Sequence, residues 1–366
     1  MKQADLLMQR AVSENVFPGG VLLVSRGDSI LFEKAYGYAN IFSKQKMTRD
    51  TVFDLASLTK PLATTLAVMK LIQNQKLYLD QDLGSILPEF NGTDKQQVKI
   101  RNLLCHNSGL PDYRPYYKAL NKLPVEERKV SLQHLLLKEP MVYAIGKDVL
   151  YSDLGFMILQ WIVENVSGKR LDLFLFQEIY SPLGLGNDSD PGLFFVDLAS
   201  ETGKKTKRKF AATELCPWRN ILLDGAVHDE NAFVMGGIAG HSGLFGTVDN
   251  VHMLLSELLA AFHGLSETRL LKKDLLEEFF RQQPGTGRAL GFDMPSSQES
   301  SSGRYFSKKS IGHLGYTGTS FWMNTDRSII LILLTNRVHP SRDNLKIKDF
   351  RPALHDAVME SLLMSG

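Results

Sequence analysis

The segment of this 366-residue sequence richest in chemistry is Ser57-Leu58-Thr59-Lys60, at the head of a helical pattern running to Gln75. Residues three apart on a helix share a face, so Lys60 can bring its amine beside the Ser57 hydroxyl. A serine hydroxyl is a poor nucleophile until a base takes its proton, and a lysine desolvated in an apolar pocket or beside other cations can be neutral enough to do so. The helix start adds free N–H groups where an oxyanion would form. Pro61 removes one early hydrogen bond, the one that would go to the Ser57 carbonyl. Taken alone, the pattern also describes an ordinary exposed helix start.

Two further segments complete a set. Tyr151-Ser152-Asp153 opens a helical stretch in the middle of the chain, and His313-Leu314-Gly315 precedes a Gly-Tyr-Thr-Gly-Thr turn into an edge-like strand. A serine hydrolase with lysine as base needs a second proton carrier for the leaving group and a strand edge for the substrate backbone. This order resembles the serine β-lactamase and penicillin-binding-protein family, closest to its class C and esterase-like branch. The stretches FDLASLTKPLATTLAVMKLIQNQKLYLDQDL, LLCHNSGLPDY, YSDLGF, VHDENA, GIAGHSGLFGT and HLGYTGTSFW carry the likeness across nearly the whole chain.

The resemblance implies that Ser57 is acylated, that Lys60 is its base or proton partner, and that Tyr151 relays a proton to the leaving group. It also implies an oxyanion hole of the Ser57 and Tyr316 N–H groups, with Asp153, His313, Gly315 and Tyr316 facing substrate. No metal or organic cofactor is expected. Two departures from the family pattern bear on specificity. Asp153 stands where Asn is common; ionised, it cannot donate to a substrate carbonyl and would instead pair with Lys60 and hold it protonated. Neutral His313 stands where lactamases commonly have lysine, removing a cation that would hold a substrate carboxylate. Both favour an esterase, or a peptidase of unusual specificity, over a β-lactamase. The alternatives are a sensor acylated without turnover and a silent scaffold.

The elements that must position these residues follow from periodicity. A helix over the first 15 residues precedes two strand patterns, GGVLLVSRG and SILFEKAYGYA, joined by the turn signal Arg26-Gly27-Asp28. Helical patterns follow in TTLAVMKLIQNQK, VSLQHLLLKE, LGFMILQWIVENVSG, which should end at Gly168, and LDLFLFQEIYSPLG. Thr247 can cap a helix to about His263, and DLLEEFFRQ gives another. Strands return at TSFWMN and SIILILLTNR before a closing helix, PALHDAVMESLL. The expected fold class is α+β: one antiparallel sheet built from both termini and flanked by terminal helices, plus a mostly helical domain. The sheet domain is assigned to residues 1–55 and 245–366 and the helical one to 56–244, with the site in the cleft between them.

Composition narrows the field. With 42 Lys+Arg against 40 Asp+Glu the net charge is +2, and 22% charged with 43% hydrophobic residues is globular composition, against a disordered chain or dedicated nucleic-acid binder. Cys105 and Cys216 alone exclude a disulfide scaffold or four-cysteine metal site. His106, His228, His241, His313, Asp229 and Glu230 show no metal-ligand spacing; His106 and His241 are expected to bond loop backbone instead. Trp161, Trp218 and Trp322 read as core or cleft wall. The basic run Lys204, Lys205, Lys207, Arg208, Lys209 reads as a solvated loop, and Ser296 to Gly303 as a mobile surface loop. No signal peptide or membrane span is visible, so the expected partner is a small acyl substrate, with neither nucleic acid nor membrane, in the cytoplasm or, if a leader was removed, the periplasm. Oligomeric state is left open.

Overall fold

A computed structural model describes residues 1–186, 192–199, 208–268 and 270–364. The two ends of the chain interleave in one six-stranded antiparallel sheet. Its strands are β1 (Gly19–Arg26), β2 (Ser29–Asn40), β3 (Gln45–Lys46), β4 (Ile311–Leu314), β5 (Ser320–Asn324) and β6 (Ile329–Thr335), in the spatial order β3-β2-β1-β6-β5-β4. The register of β1 on β6 runs from Gly20 opposite Thr335 to Arg26 opposite Ile329.

Both strands are nearly continuous apolar runs because both sheet faces are covered. Leu22, Val24, Trp322, Leu331 and Leu333 pack under the terminal helices α1 (Lys2–Ser13) and α5 (Ile347–Met364), against Ala4, Met8, Leu354 and Val358. The alternate residues Val21, Leu23, Phe321, Met323, Ile330 and Ile332 join the main core, which continues into the helices of the middle region.

That middle region contains α2 (Thr65–Gln73) and α3 (Asp153–Ser167). The latter ends at Gly168 with φ +68°, as the sequence predicts. Helix α4 (Val248–Phe262) is capped by Thr247, whose hydroxyl accepts the Asn250 N–H at 3.3 Å. A small sheet joins Phe53–Asp54, Leu244–Gly246 and Phe194–Phe195, tying the approach to Ser57 to the Gly-rich segment near His241.

Two expectations change, and one lies partly outside what the structure describes. The strand after the Gly-Tyr-Thr-Gly-Thr turn is internal; the edge is β4, which carries His313 itself. The serine-rich stretch 296–303 is partly packed, with Ser302 buried and the Ser301 carbonyl accepting from His355 at 2.8 Å. Of the basic run, Lys204, Lys205 and Lys207 lie outside the described residues. Both cysteines are free and buried, and no helix among the described residues is long and apolar enough to cross a membrane.

Candidate active site

Ser57 lies beyond a tight backbone reversal. Asp54 is buried, and its two carboxylate oxygens accept the N–H groups of Ala56 at 2.9 Å and His228 at 2.6 Å. Burial raises the Asp54 carboxyl above its ordinary range, with these two donors opposing. Ala56 is held at φ +48°, the left-handed region that non-glycine residues seldom adopt, immediately before the serine. Ser57 then occupies a 3₁₀ turn (Ala56–Leu58), followed by a wide π turn (Lys60–Thr64) in which the Thr65 N–H reaches back to the Lys60 carbonyl. The missing N–H of Pro61 is accommodated by this widened winding.

Lys60 is wholly buried. Its ammonium donates to Ser57 Oγ at 3.2 Å and to the His241 carbonyl at 3.1 Å, and lies 2.7 Å from Asp153 Oδ1. Burial would lower its pKa, but Asp153 and Tyr151 outweigh this and hold it above the ordinary lysine value. Asp153 thus faces the lysine, as expected from an ionised carboxylate at that position.

Tyr151 and Asp153 flank Ser152, the N-cap of α3. The Ser152 hydroxyl accepts the Gly155 N–H at 3.3 Å and donates to the Pro111 carbonyl at 2.6 Å, while its own N–H donates to His106 Nδ1 at 2.9 Å. His106 therefore bonds backbone as expected, and burial depresses its pKa well below the usual histidine value. The Tyr151 ring lies 4.7 Å from the Lys60 nitrogen and between the rings of His106 (4.5 Å) and His313 (5.9 Å). Burial raises the Tyr151 phenol, with Lys60 opposing, so it is protonated at neutral pH.

His313 is buried, and burial lowers its pKa to about 4. Neutral, it donates Nδ1–H to the Leu314 carbonyl at 2.9 Å, leaving Nε2 without a partner. Gly315 makes room rather than a contact: a Cβ there would meet Thr319 Oγ1 at 1.9 Å and the Leu55 carbonyl at 2.7 Å. The turn is stitched to the nucleophile segment by hydroxyls, Thr317 to the Asp54 carbonyl at 2.7 Å and Thr319 to that of Leu55 at 3.0 Å. Among the described residues the N–H groups of Ser57 and Tyr316 have no acceptor.

Ser57, Tyr151, His313, Gly315 and Tyr316 line one cleft of about 410 Å³, with Lys60 and Asp153 hydrogen-bonded or ion-paired to that group. All seven residues singled out in the sequence therefore converge. The same cleft is lined by Arg288, Asp293, Arg337, Lys348 and Arg351, which motif reasoning did not select. Asp293 is ion-paired with Arg288; burial acts to raise its carboxyl, but the guanidinium outweighs this and holds it below the usual range.

His241 differs from expectation. Its Nε2 lies 2.9 Å from Asp229, the N-cap of a short helix (Glu230–Val234), and its backbone carbonyl, not its ring, meets Lys60. Asp153, Asp229 and His241 offer atoms within 4.8 Å of one another, a cluster invisible to spacing because it draws on two distant segments. The cation bonded beside it is the Lys60 ammonium. Chemically the assembly provides a hydroxyl, a cation and a phenol in mutual reach, with two unengaged N–H groups on the turn and nucleophile segments: the equipment of acyl transfer.

Comparison with known proteins agrees with that chemistry. The family model described as "Beta-lactamase" matches residues 4–353. An "N-acetylmuramyl-L-alanine amidase" of Bacillus subtilis (strain 168) is 32% identical over 368 aligned positions, covering 93% of this chain and 81% of that protein. Among solved structures, "EstCE1, a hydrolase with promiscuous acyltransferase activity" superposes with a TM-score of 0.72 at 23% identity, covering 96% of this chain and 98% of that one. The "octameric penicillin-binding protein homologue from Pyrococcus abyssi" gives 0.74 at 20% identity, covering 99% and 77%. At these identities the two structures speak to fold alone.

Proposed function

The chain belongs to the β-lactamase family of serine hydrolases and penicillin-binding-protein-like proteins, and on that footing we propose that it hydrolyses small non-lactam esters or amides through an acyl-enzyme at Ser57. The observation that carries the reading is the buried Lys60 ammonium, in contact with both Ser57 Oγ and the Asp153 carboxylate. Ser57 Oγ attacks the acyl carbon in the cleft between the sheet (residues 1–55 and 245–366) and the helical region (56–244). As it does, Lys60 passes one proton to Asp153 and takes the serine proton, so the lysine ends the step charged and the carboxyl neutral. Tyr151, protonated at rest, delivers its proton to the departing oxygen or nitrogen and is reprotonated from Lys60. Water then enters by the same route in reverse and releases the acid.

Two features support a non-lactam bond. Asp153 is committed to Lys60 and offers no amide N–H to a substrate carbonyl, and His313 is neutral where a cation would help hold a carboxylate. Between the two acyl classes an ester is favoured, because Asp153 gives a substrate amide no donor and an alkoxide leaves with less protonation than an amine, while the likeness to the Bacillus amidase supports an amide as the second reading. The test is a panel of nitrophenyl esters, anilides and a chromogenic cephalosporin with purified protein, combined with intact-mass analysis after a fluorophosphonate. Turnover of esters or anilides above the cephalosporin, with a single adduct on Ser57, supports the reading. A stoichiometric burst without turnover replaces it with a sensor, and labelling on any other residue removes Ser57.

A further inference from the structure

Two buried guanidinium groups end on the turn that carries Tyr316. Arg337, 5% exposed, donates from Nε at 2.9 Å and Nη2 at 2.6 Å to the Tyr316 carbonyl, and from Nη1 to the carbonyls of Arg342 and Asn344. Arg351, 6% exposed, reaches from α5 to donate from Nη2 to the Thr319 carbonyl at 2.8 Å and to that of Gly315 at 3.3 Å. Among the described residues neither has a carboxylate within ion-pair distance, and Arg351 Nε has no partner. Burying a cation without a counter-ion is costly, so two at one turn call for a reason beyond packing.

The turn supplies one. The Gly315 carbonyl and the Tyr316 N–H are two ends of one peptide group. Arg351 donates to the carbonyl end of that group at 3.3 Å, and Arg337 to the carbonyl of the next one, that of Tyr316. The two guanidinium groups thus hold Tyr316 through the peptide groups on either side of it, while the Thr317 and Thr319 hydroxyls tie the turn to the nucleophile segment. A cation at a peptide carbonyl orients the group and withdraws electron density from its N–H, so Arg351 strengthens the Tyr316 N–H as a donor, while Arg337, on the Tyr316 carbonyl, fixes the conformation of the residue that carries it. Resting on the acyl-enzyme reading, we propose that Arg337 and Arg351 are positioning residues of the oxyanion hole, holding the Tyr316 N–H toward the cleft and adding an uncompensated positive field. When the Ser57 oxygen bonds to the acyl carbon, the carbonyl π pair moves onto the substrate oxygen, and the serine proton leaves through Lys60. The charge so formed appears where this field and the two free N–H groups meet. Neither arginine touches substrate in this scheme.

The test uses Arg337→Met, Arg351→Met and the uncharged donors Arg337→Gln and Arg351→Gln. Ester kinetics are combined with the amide signal of Tyr316 in ¹⁵N-tyrosine-labelled protein, assigned by Tyr316→Phe. Removing an oxyanion donor outright costs roughly 100- to 1000-fold. The methionine variants should therefore lose about 10- to 100-fold in kcat with KM within about twofold, the Gln variants less, and the Tyr316 amide should shift in the same order. A folded Met variant with wild-type kcat, or a loss carried by KM alone, overturns the proposal. Should the Met variants fail to fold, the Gln variants decide by the same criteria. If the wild-type protein takes no fluorophosphonate at Ser57, the acyl-enzyme reading fails, and the Tyr316 amide still reports whether the arginines set that peptide group.

Discussion

The Lys60 ammonium sits 2.7 Å from Asp153 Oδ1 and 3.2 Å from Ser57 Oγ, so the buried cation is held more closely by its counter-ion than by the nucleophile. A lysine in apolar surroundings would otherwise shed its proton. Here the second motif's carboxylate keeps the proton in the site and offers a place to put it when Ser57 reacts. The reactivity of Ser57 is therefore controlled by Asp153, which acts on it through Lys60.

Asp153→Asn should convert this arrangement toward amide recognition. The side chain gains a donor, and Lys60 loses the charge that raises its pKa, so the amine is more often free near neutrality. We expect amide and lactam turnover to rise against ester turnover by about five- to tenfold, on the order of 1 kcal/mol. Stability should fall, since one member of a buried pair is removed. Unchanged relative specificity across an ester, anilide and cephalosporin set would detach Asp153 from substrate choice.

Lys60 and Tyr151 should behave as one unit with Ser57. A proton taken from the serine must reach the leaving group, and blocking either carrier stalls the same passage. Lys60→Ala and Tyr151→Phe should each reduce kcat by at least about 100-fold, and the double variant should be little worse than the more damaging single. Multiplicative losses would mean two independent contributions and would take Tyr151 out of the proton path.

Acid should unfold this protein through its buried neutral histidines. Burial lowers His313 to about 4 and His355 to about 3, and depresses His106 well below its ordinary value of 6.5. Between about pH 6.5 and those values the unfolded chain binds protons that the folded state refuses, so stability is full above that range and is lost as pH falls through it. Glu214 adds to the loss below its ordinary 4.5: burial would raise it, but His228 and Arg342 outweigh this and hold it at about 2. At about 1.4 kcal/mol per unit of pKa, His313 contributes at most roughly 3 kcal/mol and His355 at most roughly 5 kcal/mol. Thermal melts from pH 7.5 to 4 should show a steep fall in Tm beginning near 6, flattened in His355→Phe; a level Tm to pH 4.5 would contradict the assignment.

What the sequence reveals of the site is what has a short-range period. Ser57 and Lys60 are three residues apart, Tyr151 and Asp153 two, and each pair is arranged by its own turn of chain. The terminal sheet and helices are legible for the same reason, through the short apolar runs of β1 and β6 bounded by turn signals and through the caps Gly168 and Thr247. The parts that stay hidden are joined by tertiary contact alone. Arg337 follows a strand and Arg351 lies in a helix, and nothing local distinguishes them from surface cations. The edge strand β4 is four residues, Ile-Gly-His-Leu, too short and too irregular to separate from loop, so the edge is assigned one strand late. Asp54 could have been suspected, since an acidic residue three before a reactive serine inside an otherwise apolar run has no solvent-facing role.

His313→Lys tests whether the neutral imidazole sets the substrate's charge. His313 stands on the sheet edge beside the Tyr151 ring, with Nε2 buried and unpartnered, and its charged form is disfavoured first by burial and then by Lys60 and Arg288, with Asp293 opposing. A lysine there would bring a fixed cation to the cleft wall. Asp293, already ion-paired with Arg288, can neutralise part of it, so the gain should be smaller than for an isolated charge. We expect KM for carboxylate-bearing esters or cephalosporins to fall about five- to tenfold, roughly 1 kcal/mol of charge-assisted bonding, while neutral esters keep their KM. Both substrate types acylate the same Ser57, so the ratio of the two KM changes isolates the charge at position 313 from any general damage to the site. Equal changes for charged and neutral substrates would show that Asp293 absorbs the new charge entirely, and that the preference against carboxylates has another source.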